Sequence, residues 1–244
     1  MSHRSVIFSP SGTPITERSV GELVAESPSR SRVFEQLGID YCCQGGRTLA
    51  AACSRNGLDP DHVASMLTTA VEPDAGETNP ATLPPVGLIR HIVERHHGYL
   101  RREVPRLMTM AARVADVHGG HTPALTEVSR IFQAMAEELG SHIIKEEQVL
   151  FPAIEAMCAG GASRPLDGPV ACMIEEHDDA GSALSRLRDL TSGFNPPEDA
   201  CNTYRALFAG LAELEADLHR HIHLENSVLF PQALAMGKAG QTDH

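Results

Sequence analysis

The string HIIKEEQVLFP at 142–152 returns as HIHLENSVLFP at 221–231. Each copy places a histidine four residues before a glutamate, His142 with Glu146 and His221 with Glu225. On an α-helix that spacing is about 40° of rotation and about 6 Å of rise, so both side chains share a face. The flanking residues mark this face as the one turned to the core. Val128, Ile131, Phe132, Met135 and Leu139 lead up to His142, and Leu207, Leu211, Leu214 and Leu218 lead up to His221. A carboxylate buried there without compensation is costly or takes up a proton, and a bound metal ion would compensate it.

Further donors fall in the same register. His177 continues the stripe Met173, Ala180, Leu184; in HIVERHHGYL, His96 and His97 both lie near the stripe Ile89, Val93, Leu100. His97 precedes His142 by 45 residues and His177 precedes His221 by 44, so the chain reads as two helical hairpins, each supplying H…H-x-x-x-E. The duplicated spacing selects His97 over His96. The pooled set is His97, His142, Glu146, His177, His221 and Glu225. Six donors could surround one octahedral ion, but two facing half-sites suit two ions with the glutamates bridging. Imidazole and carboxylate without thiolate fit iron or manganese better than zinc. Two divalent ions leave positive charge over, so an oxide or hydroxide bridge is expected. Iron is favoured because open positions between two redox-active ions can bind O2 or NO.

A lone histidine on an apolar helix face is more often a hydrogen-bonded core residue; the register of six donors over four helices is what argues for metal. A ferritin-like carboxylate centre would carry two Glu-x-x-His motifs, and only Glu94 to His97 has that spacing. Glu138, one turn before His142, and Glu176, beside His177, are candidates for a layer behind the ligands or a polar route for iron or protons. Either could equally be a solvated charge. His91, His118, His121, His219 and His223 lie off the inner face or in loops and receive no role.

These donors need four long helices, and 3.6-residue periodicity predicts them at 86–117, 124–157, 168–192 and 199–235, broken by HGGHTP, AGGASRPLDGP and SGFNPPED. No alternating β-branched run competes, so the fold class is all-α, with an up-down-up-down bundle over 86–236. Leu150, Phe151, Leu229 and Phe230 are expected to pack its end, with Pro152 and Pro231 bending or shaping the last turns. VEPDAGETNPATLPP, 71–85, reads as a linker, preceded by a small helical domain at 15–70. There SRSRVFEQLG stops at Gly38, Thr48 caps TLAAACSRN, which ends at Gly57, and Asp59 caps a helix opening on Pro60. Between two of these helices DYCCQGGRTL presents Cys42 and Cys43 in a glycine-rich turn. Adjacent thiols in such a turn can also be incidental.

The 244 residues carry 20 basic against 32 acidic side chains, a net charge of −12. Such a chain gains no counterion release on a polyanion, which argues against nucleic acid as a partner. No apolar run approaches the roughly 20 residues that span a bilayer, and MSHRSVIFSPSGTPIT lacks the basic-flanked apolar segment of a secretory signal. No membrane partner and a cytoplasmic location are expected. The cysteines at 42, 43, 53, 158, 172 and 201 form neither a C-x-x-C pair nor a small-domain disulfide framework, and reduced thiols are expected.

The H…HxxxE…H…HxxxE pattern resembles the hemerythrin-like domain. With DYCCQGG upstream, the chain over about residues 15–236 resembles the Repair of Iron Centers family of di-iron proteins. The resemblance implies a non-haem di-iron centre with ligands matching His97, His142, Glu146, His177, His221 and Glu225, the glutamates bridging, and vicinal cysteines matching Cys42 and Cys43. It also implies restoration of iron–sulfur clusters damaged by oxidative or nitrosative stress in the bacterial cytoplasm, with damaged or apo iron–sulfur proteins as partners and NO or O2 as small ligands. Three functions compete. In the favoured one the protein donates iron, with Cys42 and Cys43 accepting or exchanging it. In the second it is an enzyme reducing NO at the di-iron pair, with Glu138 or Glu176 relaying protons and the thiols supplying electrons. The third is an O2 or NO sensor, for which no output module is visible. The HH pair at 96–97 departs from the family pattern, and residues 1–14 have no reading.

Overall fold

The computed structural model describes residues 13–70, 79–161 and 165–239. Most of the expected linker, 71–78, lies outside them, as do residues 1–12. The described residues fall into two compact units, one within Met1–Pro84 and Ile222–Pro231, the other within Pro85–His221 and Gln232–His244. Among the described residues no helix is long and apolar enough to cross a membrane.

The smaller unit holds four short helices, α1 (Val20–Glu26), α2 (Arg30–Leu37), α3 (Leu49–Arg55) and α4 (Pro60–Thr69). Thr48 caps α3 by accepting from the Ala51 N–H, and Asp59 caps α4 by accepting from the Asp61 N–H. Gly38, at φ 66°, ends α2 in the left-handed region. The sequence reading did not single out α1, although its signal is present. Ser19 and Glu22 satisfy each other's backbone N–H in a capping box written S-V-G-E. The core joins Val20, Leu23, Phe34, Tyr41, Leu49, Val63 and Leu67, and Ile222 packs with them.

The four long helices form the bundle; the larger unit holds all of them except residues 222–231 of the fourth, which fall in the smaller unit. The first helix runs through α5 (Pro85–His91), a π-helical turn at Ile92–His97 and α6 (Gly98–His118). The second runs through α7 (Ala124–Lys145), a π turn at Glu146–Leu150 and α8 (Phe151–Cys158). The third is the unbroken α9 (Asp167–Leu190). The fourth is α10 (Asn202–Leu224), a π turn at Glu225–Leu229 and α11 (Phe230–Ala239). Leu107, Val114, Phe132, Met135, Leu184, Leu187, Leu211 and Leu214, two from each helix, share one core.

The π turns were not expected. In each, the backbone N–H closing the turn reaches five residues back: Gly98 to Val93, Phe151 to Glu146, and Phe230 to Glu225. Such a turn holds one residue more than an α turn. Pro152 and Pro231 follow directly, and a proline has no N–H to place in an α ladder. Widening the turn before each proline is how the helix passes it, so these prolines shape the helix rather than end it.

Candidate metal centre

Of the six predicted donors, His97, Glu146 and Glu225 lie inside π turns, His142 and His221 stand one helical turn before theirs, and His177 lies midway along α9. The His97, Glu146, His221 and Glu225 side chains place one ligand atom each within 4.8 Å of one another. His142, Glu146, His177 and Glu225 do the same. Both glutamates are common to the two groups, and both are wholly shielded from solvent, at 0 % exposure. His97 Nε2 lies 3.2 Å from His221 Nε2, and His177 Nε2 lies 3.1 Å from His142 Nε2. Glu146 Oε2 is 3.3 Å from His97 Nε2 and 3.4 Å from His142 Nε2.

The orientation of the rings follows from what lies behind them. His97 Nδ1 donates to Glu147 Oε1 at 2.7 Å, and His142 Nδ1 donates to Glu176 Oε2 at 2.8 Å. An imidazole that gives its Nδ1 proton to a carboxylate keeps a lone pair on Nε2, which here faces the other donors. Burial works to raise the Glu147 carboxyl, but His97 and Arg101 outweigh it and hold it below the usual carboxylate range. At Glu176 burial is likewise outweighed, by Lys145 and His142, and the net shift is downward. Both carboxylates are therefore ionised acceptors at neutral pH. Inward lone pairs and two buried carboxylates, with no thiolate among them, fit a metal site of the iron type.

The structure sorts the remaining candidates. His96 is buried but turns away, its Nδ1 3.0 Å from Asp217 Oδ1 and its ring stacked on His221 at 5.4 Å. Glu176 stands behind His142, its Oε2 2.8 Å from His142 Nδ1. Glu138 does not join the cluster: the inward stripe runs Met135, Leu139, His142, and Glu138 falls beside it on the exposed face. Glu147 was missed in the sequence. It pairs across helices with His97, and no spacing along one helix reveals such a pair. His223, given no role, is buried edge-on to Tyr41 at 5.6 Å, and burial lowers its pKa to about 4.

In the smaller unit the six cysteines' vicinal pair lies in the turn after α2. Cys42 Sγ and Cys43 Sγ are 3.6 Å apart, and neither is in a disulfide. Asp40 Oδ1 accepts from the Cys42 and Cys43 N–H groups at 3.0 and 2.9 Å and from Cys42 Sγ at 3.3 Å. The contact with Cys43, then burial, then the Asp40 charge push the Cys42 thiol well above its ordinary value. Cys42 is buried and Cys43 partly open.

Residues 88–233 match the family model described as the hemerythrin HHE cation binding domain, and residues 16–71 match a domain of unknown function, DUF542. Proteins named iron-sulfur cluster repair protein YtfE from Salmonella newport (strain SL254), Salmonella heidelberg (strain SL476) and Salmonella agona (strain SL483) are each 38% identical over 219 residues, which is 90% of this chain and 97% of each relative. Likeness of that length runs through both modules, and the chain belongs to the hemerythrin-like family of iron–sulfur cluster repair proteins, the Repair of Iron Centers family.

Proposed function

We propose that this protein repairs iron–sulfur clusters damaged by oxidative or nitrosative stress, and that it does so by supplying iron. The observation that carries the reading is the sharing of Glu146 and Glu225 between two otherwise separate histidine pairs. It supports two iron ions, one held by His97 and His221 and the other by His142 and His177, with both glutamates and an oxo or hydroxo group between them. Bound there, the ions supply redox-active iron free of the soft ligands that would retain it hardest.

The side chains around the centre set its character. Glu147 and Glu176 hold the Nδ1 protons of His97 and His142, so both rings present a lone pair inward without reorganising. Arg101 and Lys145 keep those carboxylates charged. Cys42 and Cys43 offer the soft donors that the His/Glu cluster lacks, and they are the residues to receive iron as cargo. Free thiols suit a reducing compartment, and the cytoplasm fits that requirement. The relatives' name supports damaged or apo iron–sulfur proteins as the clients, with NO and O2 as the small molecules the centre meets.

The test follows the metal. The protein is loaded with isotopically labelled iron and mixed anaerobically with an apo cluster protein, sulfide and a competing chelator. Label should reach the acceptor, and should be lost to the chelator in C42S/C43S. Label that stays in the bundle rejects donation and puts NO reduction at the centre first.

A further inference from the structure

We propose that Asp40, Cys42 and Cys43 form a second metal site, a carboxylate–dithiolate cradle for a thiophilic divalent cation. Their ligand atoms lie within 4.8 Å of one another. The distances fit an ion. Around a tetrahedral ion with bonds of about 2.3 Å to sulfur and about 2.0 Å to oxygen, two sulfurs stand about 3.8 Å apart and a sulfur and an oxygen about 3.5 Å. The cradle already holds its sulfurs at 3.6 Å, and Asp40 Oδ1 stands 3.3 Å from Cys42 Sγ.

Local geometry builds this arrangement. Neighbouring side chains on an extended strand point to opposite sides. Here Asp40 accepts both cysteine N–H groups, which folds the chain into a tight turn and brings the two sulfurs together. The turn is also fixed from outside. Asn226, the residue after Glu225, donates its Nδ2 to the Cys42 carbonyl at 3.3 Å. A side chain at Gly45 would meet the Tyr41 carbonyl at 2.7 Å and Ser227 Oγ at 3.0 Å, so glycine allows the close seat. Tyr41 itself stacks on Phe34 and donates its hydroxyl to Glu35. The donors are thus held in place before any ion arrives, while exposed Asp40 and partly open Cys43 leave a side from which one can enter.

Binding replaces the two thiol protons, which leave to solvent, so one divalent ion is exchanged for two protons. Thiolates select zinc-like ions and iron(II) over magnesium or calcium. As a station for iron in transit the site rests on the donation reading above; as a metal site it does not.

The probe is cobalt(II), added anaerobically to the full-length protein with its bundle already filled with iron. One equivalent should bind, giving thiolate-to-cobalt charge-transfer bands in the near ultraviolet and releasing two protons. C42S and C43S should each lose the bands. D40N keeps an oxygen for the two N–H groups, so the turn survives, but loses the anionic donor; its affinity should fall tenfold or more. Absence of the bands in the unaltered protein overturns the site and leaves donation standing. Unchanged affinity in D40N removes Asp40 from the ligand set. Labelled-iron transfer that persists in D40N overturns the role in delivery and leaves the site standing.

Discussion

At the scale of residues, the centre depends on side chains that never touch the ion. Glu147 anchors His97 and is itself gripped by Arg101 through both oxygens. Removing such a partner typically costs 10- to 100-fold in metal affinity. E147A should therefore bind iron(II) about 10- to 100-fold more weakly in a chelator competition, with its far-ultraviolet circular dichroism unchanged. E176A should behave alike at the His142 side, and E138A should bind as the parent does. A result in which E138A matches E147A would remove the distinction drawn between them. The clustering of the six side chains was legible in the sequence because helical periodicity orders residues along one helix. Glu147 was not, since its partner lies on another helix, and Glu138 misled because one helical turn from His142 is not the same as lying on the inward stripe.

At the scale of elements, caps and stops follow from local chemistry, and they were readable for α2, α3 and α4. The capping box of α1 contributes on its own account. S19A should destabilise the smaller unit by about 1 kcal/mol in a denaturant melt, because the Glu22 N–H loses its acceptor. The wide turns were not legible. An apolar stripe spans a broad arc of a helix, and one extra residue displaces it by less than that arc. Only the prolines at 152 and 231 hint at two of them, and the turn at Ile92–His97 carries no such sign. That turn also accounts for the HH pair, since it lets both His96 and His97 be buried in succession.

At the scale of the whole molecule, the smaller unit is discontinuous in the chain. Ile222 belongs to its core, Asn226 bonds its cysteine turn and Ser227 lies against Gly21 and Gly45. Nothing in the periodicity signalled this, because HIHLENSVLF carries His221, His223, Glu225, Asn226 and Ser227 among its ten residues, yet residues 221–225 are all buried. A fragment of residues 1–84 should consequently be less helical and melt at lower denaturant than the same residues in the full chain, and a fragment as stable as the full chain would refute the dependence. Metal contributes in the same way. An ion at 100 times its dissociation constant adds about 2.7 kcal/mol, so iron removal by a chelator should lower the bundle's melting temperature and leave it folded.

The turn at Ile92–His97 has a consequence for chain length. It holds one residue more than the helix needs, so losing one there leaves everything before and after it where it was. Deleting the exposed Arg95 should give a plain helix that still seats Leu88 and Leu100, at the expense of one buried histidine. Deleting the equally exposed Asp179 from unbroken α9 would instead swing Ala180, Leu184 and Leu187 about 100° out of the core. At the other two wide turns the same economy is closed, because the shortened helix would run into Pro152 or Pro231. Among lineages of this protein, a missing codon should be found near 95 and not near 179.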